Sequence, residues 1–208
     1  MYSEPTASAV NDRCNMETIK HGDYTIEIEQ DEYPLNPREF DNLGTMVCFH
    51  SRYDLGDKHD YRQNDFSSWN ELEAQIQKDT GGAVIRPIRM YDHSGIGVTA
   101  NPLSFGRYPW NCPWDSMWVG FIYVSRVDIR AEYSVKHVTK EIADKVKEVL
   151  IAEVETYGQY LSGEVYAYLV KDKDGEVVDS CCGYYDLEYA HDQAISAVDY
   201  LAENEATP

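Results

Sequence analysis

The longest apolar run in the chain, Met117 to Val124, is only the length of a strand. A helical membrane span needs roughly 20 apolar residues, so no segment qualifies as one. Because the run is apolar on both faces, it predicts a central strand covered from two sides. The rest of the fold has to be built around it. Tyr24 to Gln30 alternates apolar and polar residues, the pattern of a half-buried strand, and Thr45 to His50 reads as another. Ser68 and Glu71 form a capping box that opens a helix running to Asp79, with Gly81-Gly82 as its stop. Ala83 to Tyr91 is strand-like, but Pro87 has no N–H to donate, which predicts an edge position or a bulge.

Ser125 and Asp128 predict the start of a short helix to Tyr133, and a long helix is expected near 139–161. Glu164 to Lys171 and Glu176 to Gly183 are strands joined by Asp172-Lys-Asp-Gly175, a hairpin signal. An amphipathic helix near 186–203 closes the chain. Residues 92–116 read as one long loop, and 1–20 as a flexible segment. The order predicts an α+β fold, a mainly antiparallel sheet with packed helices, in a single domain over 21–204.

Charge narrows the function classes. Asp and Glu number 37 and Lys and Arg 18, a net charge of −19 over 208 residues. Direct nucleic-acid binding depends on bases that neutralise phosphates, so it is disfavoured, and so is docking on anionic membrane. The first fifteen residues carry Glu4, Asp12 and Arg13 and no apolar stretch, unlike a secretory signal. Cys14, Cys48, Cys112, Cys181 and Cys182 are odd in number and lack CxxC spacing. The expectation is buried free thiols in a reducing cytoplasm, with the adjacent Cys181 and Cys182 unable to pair with each other.

The acids are clustered. On the last helix, Leu187, Ala190, Ala194, Ala197, Val198 and Leu201 share one face at 100° per residue. Glu188, Asp192, Asp199 and Glu203 form a stripe on the other side, about 22 Å long. No Lys or Arg follows Asp186, although mixed-sign pairs would favour a merely solvated helix. A second patch, Asp23 to Asp41, includes Glu27, Glu29, Asp31 and Glu32. The two together predict one acidic flank that engages the basic surface of a partner, with Trp110 and Trp114 as aromatic anchors.

Other constellations leave alternatives open. His50, Asp57, His59, His93 and Asp115 concentrate in loops and could serve a metal-assisted hydrolase of nucleotides or phosphoesters. Their spacing matches no zinc motif, so no metal ligands or cofactor are assigned. Glu153 projects from an apolar helix face. It must bond a tyrosine, a backbone amide or a buried arginine, or else act as an acid of raised pKa. Arg86, Arg89 and Arg107 could clamp phosphate in a protein that sequesters a nucleotide signal. Neither serine-hydrolase nor dinucleotide-binding motifs are present.

Several strings resemble a known family in combination: Asn36 to His50, Leu55 to His59, Tyr91 to Gly95, Trp114 to Ser116 with Val119 to Val124, and Glu153 to Tyr157 with Tyr160-Leu161. They are similar to small acidic proteins of bacterial viruses, prophages and plasmids. The resemblance implies an accessory protein of a mobile element, acting in the host-cell cytoplasm. By analogy, it implies an inhibitor of a bacterial nucleic-acid-targeting defence complex of the anti-CRISPR or anti-restriction kind.

Overall fold

The structure, a computed structural model, describes residues 15–92, 95–101 and 116–205. They form an α+β fold of four α-helices and eight strands, every pairing antiparallel. The strands are β1 (Asn15–His21), β2 (Tyr24–Gln30), β3 (Thr45–Cys48), β4 (Ala83–Asp92), β5 (Ile96–Thr99), β6 (Ser116–Ser125), β7 (Tyr166–Lys171) and β8 (Val177–Tyr184). The helices are α1 (Trp69–Asp79), α2 (Arg126–Glu132), α3 (Lys140–Ser162) and α4 (Leu187–Glu205).

Instead of one domain over 21–204 with one sheet, the chain makes two compact units, each with a four-stranded sheet. The first unit combines the segments 1–34 and 163–208, and the second is Leu35–Ser162. Sequence composition shows no linker because the first unit draws its strands from both ends of the chain. Its sheet order is β1-β2-β7-β8, with Ile26 of β2 opposite Val170 of β7. Within the expected flexible segment 1–20, residues 15–20 are corrected for the same reason: Asn15–His21 is a strand paired with β2, and 1–14 lie outside the described residues.

In this first unit the helix α4 covers one sheet face. Tyr24, Ile26, Ile28, Tyr168 and Val170 pack with Ala194 and Val198 of the helix. The β7–β8 hairpin turns on local chemistry. The Asp172 carboxylate accepts the amides of Asp174 and Glu176, both at 2.9 Å, and Gly175 adopts φ +83°, which favours glycine.

In the second unit the sheet order is β3-β6-β4-β5, and β6 is indeed central and buried on both faces. Ile122 and Val124 face a core with Val146, Leu150 and Val154 of α3. Phe121 faces a second core with Val47 and with Leu72 and Ile76 of α1. Each such side chain contributes about 1.5–3 kcal/mol on burial. Gly120 lets β3 approach: a Cβ there would lie 1.9 Å from the Val47 carbonyl oxygen. Pro87 sits beside a bulge at Ile88/Arg89, in the half of β4 that β5 does not pair. The expected loop 92–116 contains β5, hairpinned back on β4, and its part 102–115 lies outside the described residues.

Both capping predictions hold. The Ser68 hydroxyl accepts the Glu71 amide at 3.3 Å, and that of Ser125 accepts the Asp128 amide at 3.1 Å. The thiols divide differently from expectation. Cys48 is buried, with burial raising its pKa to about 12, but Cys181 and Cys182 are exposed on the edge strand β8. Cys14 and Cys112 lie outside the described residues. No described helix is long and apolar enough to cross a membrane.

Candidate functional site

The acidic helix starts at Asp186, whose carboxylate accepts the Tyr189 amide at 2.7 Å and caps α4. Ala190, Ala194 and Val198 are buried, so the opposite face is held outward, and Glu188, Asp192, Asp199 and Glu203 are all exposed there. Asp199 also accepts a hydrogen bond from His21 at 2.7 Å, a donor supplied by β1. Beside the carboxylates stand Tyr189 and Tyr200, 55% and 67% exposed. At 100° per residue they fall on one edge of the stripe, a position the sequence periodicity contains but the reading of charge alone passes over. Tyrosines of this kind are enriched at protein interfaces.

The second acidic patch does not join the first into one flank. Glu27 and Glu29 alternate with the buried Ile26 and Ile28, so they project from the sheet face opposite α4. Glu27 is moreover paired with Lys171 at 2.6 Å. The Asp31 carboxylate accepts the Tyr33 amide at 3.0 Å and shapes the chain after β2, while Glu32 is exposed. Glu39 and Asp41 belong to the other unit altogether. Trp110 and Trp114 lie outside the described residues.

The net charge itself is unevenly placed. Segments 1–34 and 163–208 carry 19 Asp and Glu against 4 Lys and Arg, net −15. Segment 35–162 carries 18 against 14, net −4.

In the second unit, Asp57 and Glu153 meet at Arg38, a side chain 4% exposed. Arg38 holds Asp57 with two parallel bonds, Nε to Oδ1 at 2.9 Å and Nη2 to Oδ2 at 2.7 Å. Its Nη1 reaches Glu153 at 3.0 Å, and Nη2 also donates to the Gly44 carbonyl. Glu153 in turn accepts the Leu43 amide at 2.8 Å, and Asp57 the Met46 amide at 2.7 Å. Burial alone would depress the guanidinium, but bonds and charges from Asp57 and Glu153 outweigh it and hold the pKa above its ordinary value. The group is a satisfied brace tying α3 to the loops around β3. Of the options open for Glu153, the structure therefore shows a buried arginine with backbone amides. Arg38 is the residue the sequence reading missed.

Of the remaining hydrolase candidates, the two described histidines make contacts of their own. His50 stacks on Tyr53 with centroids 4.9 Å apart, and its Nδ1 accepts the Arg52 amide. His59 bonds the Cys48 carbonyl at 3.2 Å and sits edge-on to Phe49. His93 and Asp115 lie outside the described residues. Among the described residues, no three His, Cys, Asp or Glu side chains gather where they could hold a metal ion. The phosphate-clamp set is divided as well. Arg86 shares the β4 face of Val84 and Ile88, toward the α3 core, whereas Arg89 lies over the Trp118 ring at 5.6 Å, on the α1 side. Arg107 is outside the described residues.

The chain matches no family model, no curated protein and no solved structure.

Proposed function

We propose that this chain is a non-enzymatic binder that uses the outer face of α4 to occupy the basic, nucleic-acid-binding surface of another protein. In its biological setting it is an accessory protein of a mobile element that disables a bacterial defence complex in the host cytoplasm. The observation that carries this reading is the concentration of charge: net −15 in the first unit, with the α4 carboxylates held outward by a buried alanine-rich face.

Duplex nucleic acid presents about one charge per 1.7 Å of axis. The stripe from Glu188 to Glu203 is sparser over about 22 Å, so it replaces part of that charge, and Tyr189 and Tyr200 add aromatic contacts. Long-range attraction between opposite net charges also speeds encounter, at a rate that falls with salt. The sharing of Asp57 and Glu153 with Arg38, and the placement of Arg86 and Arg89 on opposite sheet faces, leave the hydrolase and nucleotide-sequestering readings without an assembled site among the described residues.

The test is capture from a bacterial lysate, comparing the native chain with the variant Glu188→Lys, Asp192→Lys, Asp199→Lys, Glu203→Lys. A nucleic-acid-binding protein is expected on the native chain. Its affinity should fall about 100-fold or more in the variant and steeply with salt. Reversal of Glu141, Glu148 and Glu155 on α3 should leave capture unchanged. Equal capture by the native chain and the α4 variant refutes the reading.

A further inference from the structure

The first unit has two histidines, His21 and His191, and both stand against carboxylates of the α4 stripe. His21 Nε2 lies 2.7 Å from Asp199 Oδ1, and His191 Nδ1 lies 3.7 Å from Asp192 Oδ1. Both rings reach solvent, with 39% and 32% of their side chains exposed. We propose, on the basis of the α4 reading of the function, that these two histidines regulate that face: its hold on a basic partner weakens as pH falls from about 8 to about 5.5.

The register of the sheet decides which cations reach the helix. Glu17, Ile19 and His21 of β1 pair with Ile28, Ile26 and Tyr24 of β2, the residues that α4 covers, so they share its side of the sheet. Lys20, between Ile19 and His21, points to the other side. Lys171 is there too, paired with Glu27. Lys173 sits in the turn between β7 and β8. The permanent charges of Lys20 and Lys171 are thus turned away from α4. Imidazole, which gains and loses its charge between pH 5 and 8, is turned toward it.

The other titratable groups around the two rings keep their charge over this range. Around His21 they are Asp199 and Glu203 of α4, Asp23 in the turn after β1, Glu17 on β1 and the Tyr24 phenol of β2. Around His191 they are Glu188 and Asp192 of its own helix. Between about pH 5.5 and 8 ordinary carboxylates remain ionised, and phenols and lysines remain protonated. Acidification therefore acts on the stripe through the imidazoles.

With both rings neutral, Glu188, Asp192, Asp199 and Glu203 carry −4; two imidazolium charges bring the local sum to −2. In water, one unit charge at about 4 Å changes an association constant about fivefold. The linkage is reciprocal: a cationic partner on the stripe disfavours the imidazolium, so binding expels protons.

Titration of the full chain with an octa-arginine peptide, whose own charge is constant over this range, tests the proposal. Affinity is expected to fall about fivefold or more from pH 8 to pH 5.5. Calorimetry near pH 6.5 in two buffers of different ionisation enthalpy should show proton release on binding by the native chain, a readout that needs no variant. His21→Gln with His191→Asn keeps an N–H donor at each place but removes the titration, so most of the fall and of the release should disappear. His50→Gln with His137→Gln removes as many titrating groups from the second unit and should preserve both; thermal unfolding checks the fold of each variant. Affinity independent of pH, no proton release, or equal effects of the two double variants overturns the proposal while leaving α4 as the binding face. Equal binding of the peptide by the four-lysine α4 variant at pH 8, or no binding by the native chain, refutes the α4 reading and the proposal with it.

Discussion

The two units use the same material, a four-stranded antiparallel sheet with helices, and treat charge in opposite ways. The larger unit covers its central strand on both faces and spends two of its carboxylates internally on Arg38. Elsewhere it mixes signs, as in the α3 pairs Lys145–Glu141 and Lys147–Asp144. Among its described residues the smaller unit has one helix, on one sheet face, and that helix carries Glu and Asp with no Lys or Arg. In the first case charge serves the fold. In the second it opposes the fold through self-repulsion, which is the reason for looking to a partner for its purpose.

The sharpest way to break that contrast is to disable the internal use of charge. Arg38→Met leaves Asp57 and Glu153 facing each other without their cation. Removing one member of a buried ion group costs about 3–5 kcal/mol, because the remaining charge is uncompensated. Denaturant unfolding should show a loss of this size, whereas the four-lysine α4 variant should lose almost nothing. A loss below about 1 kcal/mol for Arg38→Met would mean that the brace is decorative and the two units are alike.

A pH comparison comes next in size, since both units contain the same device. Tyr61 donates to Asp79 and Tyr168 to Asp179, each at 3.1 Å, and both phenols are raised to about 12, first by burial and then by the carboxylate. A group whose folded pKa exceeds its unfolded value of about 10 contributes stability that is fully present below pH 10. That contribution is lost as pH rises through about 12. Absorbance titration of phenolate should therefore lose one late-titrating tyrosine with Tyr61→Phe and another with Tyr168→Phe, with stability falling across the same window. Ordinary titration near 10 at either position would sever the link between its carboxylate and its hydroxyl.

Local chemistry made much of this fold legible in the sequence. Ser68 with Glu71, Ser125 with Asp128, and Asp172 with Gly175 each set an element boundary through bonds a few residues long. The buried face of α4 followed from helical periodicity, so the stripe was legible too. Long-range pairing was not. β2 finds β7 some 140 residues away, as in Ile26 with Val170, and no composition shift announces the two-unit division. Glu153 on an apolar face signalled that a partner was needed, but Arg38, 115 positions earlier, could not be singled out from other arginines. Alternation placed Glu27 and Glu29 on one sheet face. Only knowing which face α4 covers reveals that they point away from the stripe.

The smallest effect is the most direct reading of the self-repulsion in the smaller unit. Net −15 in some 80 residues resists compaction, and salt should relieve it: the Debye length contracts from about 30 Å at 0.01 M to about 10 Å at 0.1 M. Hydrogen exchange resolves the two units separately, because amides report local opening free energies. Moving from 0.01 to 0.1 M salt should raise protection in β2 and β7 by under about 1 kcal/mol and change β4 and β6 less. The four-lysine α4 variant removes eight units of negative charge from the same unit, so its β2 and β7 amides should already be more protected at low salt and respond less to added salt. If instead β4 and β6 gain as much as β2 and β7, the repulsion is shared by the whole chain, and the smaller unit loses its claim to carry charge for a partner.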